Sequence, residues 1–132
     1  RWIFRTGGSS GSDLSSSVYS ARSLRNYSGH TNYEMERVAN DNHFKIGYSA
    51  TQFGSSDNSN AGMLDMKIYG TNGHQLKCVW NYCADHSGTD THTIWNNGGG
   101  AVSQTTAITG FKFYSNDSQT ITHYKYRVLG LK

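Results

Sequence analysis

The sequence predicts an all-β domain, an antiparallel, jelly-roll-like β-sandwich of about eight short strands. Three observations carry this. Only 35% of residues are hydrophobic yet 13% are aromatic, with nine Tyr, five Phe and three Trp; large rings must supply much of the core, and strands accommodate them better than helices. Fifteen Gly, no Pro and frequent Ser, Thr and Asn suit short strands joined by polar turns, because these residues tolerate left-handed and side-chain-capped geometries. Period-two alternation recurs at intervals of roughly ten residues with no βαβ rhythm. At 132 residues and 14.6 kDa the chain reads as a single domain over 1–132, long enough to bury roughly two-thirds of its unfolded surface.

Taken in order, "WIFRT" forms a short strand with Trp2 and Phe4 on one face. "GGSSGSDLSSS" follows as a surface loop, too poor in apolar groups to offset its own ordering entropy. "VYSARSLRNYSG" resumes the alternation, and "HTNYEMERVANDN" reads as strand or loop in preference to a helical turn. "HFKIGYSATQF" sets Phe44, Ile46 and Tyr48 on one side. "MLDMKIYG" is a half-buried strand with Leu64, Met66 and Ile68 inward, and "HQLKCVWNYC" follows with Leu76, Cys78, Trp80 and Tyr82 on one face. Thr71, Asn72 and Gly73 can turn these two into a hairpin. "HTIWNNGGG" and "AVSQTTA" are hydrophilic enough for edge strands or a long loop. The chain closes on a hairpin turning at Asn116, Asp117, Ser118 and Gln119, with Ser115 facing Thr120, Lys112 facing His123 and Phe111 facing Tyr124. That register places Phe111, Phe113, Tyr124, Tyr126 and Val128 inward.

The net charge of +3 is mild and its basic residues are scattered, which solubility explains as well as a polyanionic partner does. No segment approaches the roughly 20 apolar residues of a membrane span, and "RWIFRTGGSS" lacks the pattern of a signal peptide. A start at Arg1 instead of Met fits a processed product or part of a longer protein. Cys78 and Cys83 have an odd spacing that sends them to opposite faces of one strand, so two thiols are expected in preference to a disulfide.

"ITGFKFY", a polar turn and a last strand running into Leu-Gly-Leu-Lys resemble the closing pattern of C-terminal β-sandwich domains in bacteriophage virion proteins, the tail fibres, tail spikes and capsid-surface appendages of marine and cyanobacterial phages. "FRTGGSSGSDLSSSVYS" and "AGMLDMKIYGTN" look like that family's earlier strands and loops. The family's last strand commonly ends in a Leu-Tyr-Gly type motif, where this chain has Val128, Leu129 and Gly130. The resemblance implies a virion particle-surface location, homo-oligomerisation, with a trimer favoured, contact with other virion proteins, and in some members binding of host-surface glycans. It also implies further strands before "WIFRT", preceding this chain or supplied by a neighbouring subunit.

No G-x-S-x-G, P-loop or H-E-x-x-H motif occurs, the carboxylates fall mostly in predicted loops, and no catalytic residue or cofactor is assigned. Sugars stack their C–H faces on aromatic rings and exchange hydrogen bonds with amides. "TIWNNGGG" offers Trp95, Asn96 and Asn97 for this, and "RNYSGHTNY" offers Tyr27, His30 and Tyr33, with Asn26 and Asn32; the alternative is that Trp95 is core. The outer face of the closing hairpin interleaves Lys112, Tyr114, His123, Lys125 and Arg127, suited to a subunit contact or a polyanion, although with three firm charges and no motif nucleic acid is not favoured. Asp85, His86, Asp90 and His92 could surround a divalent ion, but their spacing matches no established ligand motif and a solvated loop reads the same way. The expectation is a non-enzymatic virion domain; a monomeric carbohydrate-binding module is the alternative and a glycan-cleaving fragment the third reading.

Overall fold

The computed structural model describes residues 2–6, 12–15, 17–27, 33–46, 62–70, 75–85, 93–114 and 125–130. Among these the chain is all-β, with seven strands and no helix. The strands are β1 (Trp2–Thr6), β2 (Tyr19–Tyr27), β3 (Glu34–Asp41), β4 (Gly62–Tyr69), β5 (Leu76–Asp85), β6 (Thr93–Val102) and β7 (Ile108–Phe113). Five form one sheet in the order β3-β2-β6-β5-β4, and β1 pairs with β7 in a separate ladder. Every pairing is antiparallel.

The β4–β5 pair follows the sequence pattern closely. Leu64 lies opposite Tyr82, Met66 opposite Trp80 and Ile68 opposite Cys78. Leu76, Cys78, Trp80, Tyr82 and Ala84 are buried, while Lys77, Val79 and Asn81 between them are exposed, so one face of the sheet is core and the other is open. The connecting residues 71–74 lie outside the described residues. "EMERVAND" is a strand, and Tyr19, Ala21 and Ser23 of β2 are buried beside it. A register shift between Tyr19 and Ala21 places an extra residue on β3, near Asn40, whose φ of 56° is left-handed. Asn tolerates that conformation better than most residues, as a bulge here requires.

β6 corrects the expectation of an edge strand or loop. It is the central strand, flanked by β2 and β5. Its polarity misleads because the inward positions are filled from neighbouring strands. A Cβ added to Gly98 would come within 2.4 Å of Trp80 Cζ2 and 2.8 Å of Ser23 Cβ; one on Gly100 would come within 2.4 Å of Phe44 Cε1 and 2.7 Å of the Ser20 carbonyl. Only glycine lets two large rings lie against this strand. Phe44 meets Tyr19 edge-on, with centroids 4.9 Å apart, and Trp80 at 5.6 Å, so three rings share the middle of the core.

Residues 43–46 form no extended strand beyond a single bridge at Phe44, yet Phe44 and Ile46 are buried as expected. Tyr48 lies outside the described residues.

The end of the closing hairpin is the second correction, while its turn and cross-strand pairs lie outside the described residues. Among the described residues β7 pairs with β1, with Trp2 opposite Phe113 and Phe4 opposite Phe111. Residues 125–130 belong to no strand, and the expected core positions Tyr126 and Val128 are 78% and 66% exposed. Phe111 is also partly exposed, whereas Ile108, Phe113 and Tyr114 pack against the core cluster. Tyr124, His123 and Thr120, the expected cross-strand partners, lie outside the described residues. Alternation marked these segments as strand-competent without specifying their partners. No disulfide joins Cys78 and Cys83.

Candidate functional site

The open face of the five-stranded sheet collects the side chains that alternate with the core. Its rows follow from the register. One row runs Asn26, Trp95, Cys83 and Met63 across β2, β6, β5 and β4. The next runs Met35, Leu24, Asn97, Asn81 and Asp65, and the third runs Arg37, Arg22, Gly99, Val79 and Lys67. Trp95 is 48% exposed on the central strand. It is therefore not a core residue, and burial does not account for its presence. Asn97 and Asn81, both exposed, lie directly opposite each other one step along the strands. Asn26, opposite Trp95, has its Oδ1 shielded from solvent and without a hydrogen-bond partner among the described residues. It contributes a partly buried amide, not an open acceptor.

Of the other residues expected to bind sugars, Asn96 faces the opposite way. It is buried, its Oδ1 accepts a 2.9 Å hydrogen bond from Trp80 Nε1, and its Nδ2 donates to Ser23 Oγ at 3.1 Å. Alternation forces this, since Trp95 and Asn97 cannot both face outward unless Asn96 faces in. Asn96 thus holds the core indole in place and is unavailable to a ligand. Tyr33 is exposed just before β3, and Tyr27 ends β2 opposite Ile94. His30 and Asn32 lie outside the described residues.

Of the basic stripe expected on the closing hairpin, Lys112, Tyr114, Lys125 and Arg127 lie among the described residues. Lys112 is exposed, pairs with Asp13 at 3.2 Å, and sits 5.4 Å from the centroid of the Tyr114 ring. Tyr114 is half-buried against the core, and Lys125 and Arg127 are exposed outside any strand. His123 lies outside the described residues. So do three of the four metal candidates, His86, Asp90 and His92, while Asp85 closes β5 opposite Thr93. Among the described residues no group of three His, Cys, Asp or Glu could hold a metal ion, and no helix is long and apolar enough to cross a membrane.

Glu34 and Glu36 on β3 both engage Arg25, at 2.5 Å and 3.8 Å, which ties these carboxylates to the neighbouring strand. Cys78 is buried, and loss of hydration pushes its thiol up to about 12, opposed only in part by a backbone hydrogen bond at Gly100. A thiol so placed is a core residue and a poor nucleophile.

Sequence reasoning did not single out the exposed charges of the open face. Arg22, Arg37, Lys67 and Lys77 share it with Asp65. Their parity within each strand was the available signal; the cross-strand register that gathers them was not. Compared with protein-family models, curated proteins and solved structures, the chain matches none.

Proposed function

We propose that this chain is a non-enzymatic bacteriophage virion domain, part of a fibre, spike or capsid-surface appendage, that homo-oligomerises and binds a host-surface glycan on the open face of its five-stranded sheet. One observation carries the binding half. Trp95 stands half-exposed on the central strand, with the amides of Asn97 and Asn81 in the adjoining row. An exposed indole on a rigid sheet offers a flat apolar platform to a sugar ring, and neighbouring amides exchange hydrogen bonds with hydroxyls. The virion assignment rests on the resemblance of the closing sequence.

In this reading the β1–β7 ladder is the second layer of a jelly-roll-like sandwich, which the packing of Ile108, Phe113 and Tyr114 against the core supports. Exposed Tyr126, Val128 and Leu129 support the assembly half, because apolar residues left open in one chain are commonly covered by another. A trimer is the favoured oligomer.

A monomeric carbohydrate-binding module would use the same face, so mass decides between the two. A stable trimer in native mass spectrometry supports the virion reading, and a concentration-independent monomer removes its assembly half. Binding is tested on an array of bacterial surface polysaccharides with the wild type and Trp95→Ala. Loss of the array signals in the folded variant supports the platform; no binding by the wild type removes it.

A further inference from the structure

We infer that the glycan recognised on the open sheet face is anionic, and that Arg22 and Arg37 form the subsite for its carboxylate, sulfate or phosphate group. The inference rests on the proposed glycan reading and specifies its ligand class.

Arg22 on β2 and Arg37 on β3 are direct cross-strand partners, and both are exposed. Like charges set opposite each other in a sheet are mutually destabilising. Neither makes an ion pair or side-chain hydrogen bond among the described residues, whereas Arg25, three positions along the same strand but facing the core side, is neutralised by Glu34 and Glu36. Among the described residues, two carboxylates thus serve one guanidinium on the core side, and two guanidiniums on the open side have no counter-charge paired with them. On the other flank of Arg22 lies Gly99, which raises no side chain. Lys67, at the far end of the same row, and Lys77 add positive charge, against Asp65 as the one acid among the described side chains of this face. Four cations minus one carboxylate leave a local excess of three.

Arginines at paired positions on adjacent strands, whose backbones run about 5 Å apart, suit a planar or tetrahedral oxyanion, which accepts forked hydrogen bonds from each guanidinium. Gly99 lies four positions along β6 from Trp95, a rise of ~13 Å along the strand. A short oligosaccharide spans that length, with one ring stacked on Trp95 and an acidic substituent at the arginine pair. Nucleic acid fits less well, because single strands are held by a series of rings on which successive bases stack. Exposed rings of this face such as Trp95 and Tyr69 stand apart, because the two rows between them, those of Leu24 with Asn97 and of Arg22 with Gly99, carry no ring.

The test measures binding of the full chain to dextran sulfate, polygalacturonate, neutral dextran and a twenty-residue oligothymidylate, at low and at physiological salt. Dextran sulfate or polygalacturonate should bind at least ~10-fold more tightly than neutral dextran, and the preference should shrink with salt. Arg22→Gln with Arg37→Gln should weaken anionic binding ~10-fold or more, whereas Lys67→Gln with Lys77→Gln should change it less than about threefold. The arginine variant should melt no lower than the wild type, since it removes a repulsive pair; a merely structural role would lower its melting temperature. Equal binding of neutral and anionic polymers, lost in Trp95→Ala, would overturn the anionic subsite and leave the glycan reading standing. Failure of every polymer to bind would overturn both. Tighter binding of oligothymidylate than of either polysaccharide, or an arginine variant that binds like the wild type, would also overturn the assignment.

Discussion

Trp80 Nε1 donates a 2.9 Å hydrogen bond to Asn96 Oδ1, joining β5 to β6 through side chains inside the core. An indole N–H buried without an acceptor would lose its water and gain nothing in return. Asn96→Ala strands that donor and also removes the bond to Ser23 Oγ. The expected cost is about 2–3 kcal/mol, read as a lower urea midpoint at unchanged slope. Glycan affinity of the folded variant should be unaltered, because Asn96 never meets the open face.

Gly100→Ala should be the most damaging of the single methyl additions. The new Cβ would strike the Phe44 ring and the Ser20 carbonyl, and the backbone oxygen cannot rotate away as a side chain can. Overpacking of this kind costs about 1–3 kcal/mol, sometimes more. Gly130→Ala is the control, with nothing within 4 Å of the added carbon and an expected change within about 0.5 kcal/mol. Chemical denaturation of the two variants side by side checks both.

Cys78 makes stability fall in alkali. Its pKa is near 9.0 when unfolded and pushed up to about 12 when folded. Between these values the unfolded chain releases the thiol proton and the native chain keeps it, so the unfolded state binds fewer protons and unfolding becomes easier as pH rises. The contribution is intact below pH 9 and is lost progressively towards pH 12, at roughly 1 kcal/mol per pH unit. Cys78→Ala shifts the overall stability but should have a shallower decline from roughly pH 9 to pH 10.5; identical slopes would contradict the burial effect.

Trp95→Ala should separate binding from folding. Half of the side chain is already in water, so its loss should cost about 1 kcal/mol or less, whereas the proposed sugar contact loses its platform. Thermal melting and the glycan array, run on the same preparation, read the two effects independently.

The strands legible in the sequence were those whose own residues fill the core. Leu76, Cys78, Trp80 and Tyr82 display their period because each contributes its own apolar bulk, and β4 follows in the same way. β6 was obscured because its inward positions hold Asn96, Gly98 and Gly100, whose partners in the core, Trp80 and Phe44, arrive from elsewhere. Tyr126 and Val128 show the opposite failure: they continue an alternation as regular as any in the chain, but residues 125–130 join no strand and both side chains are exposed. Within the candidate site, Trp95 and Asn97 could be nominated from local composition. Arg22 and Arg37 could not, because their meeting depends on how β2 and β3 are registered around the bulge near Asn40.

The position of β6 also bears on the order in which the chain can be completed during synthesis. β2 with β3, and β4 with β5, are neighbours in sequence and can pair as soon as they emerge, but the strand that unites them is made last of the five. Asn96 must find Ser23 across 73 positions, a loop closure that slows folding relative to local pairings. Until β6 arrives, β2 and β5 each present an open hydrogen-bonding edge, a template for pairing with the wrong chain. A nascent chain stalled before Thr93 would hold two hairpins and no sheet centre, so the glycine-bearing strand that looks least like a strand is also the one whose translation ends the interval of greatest aggregation risk.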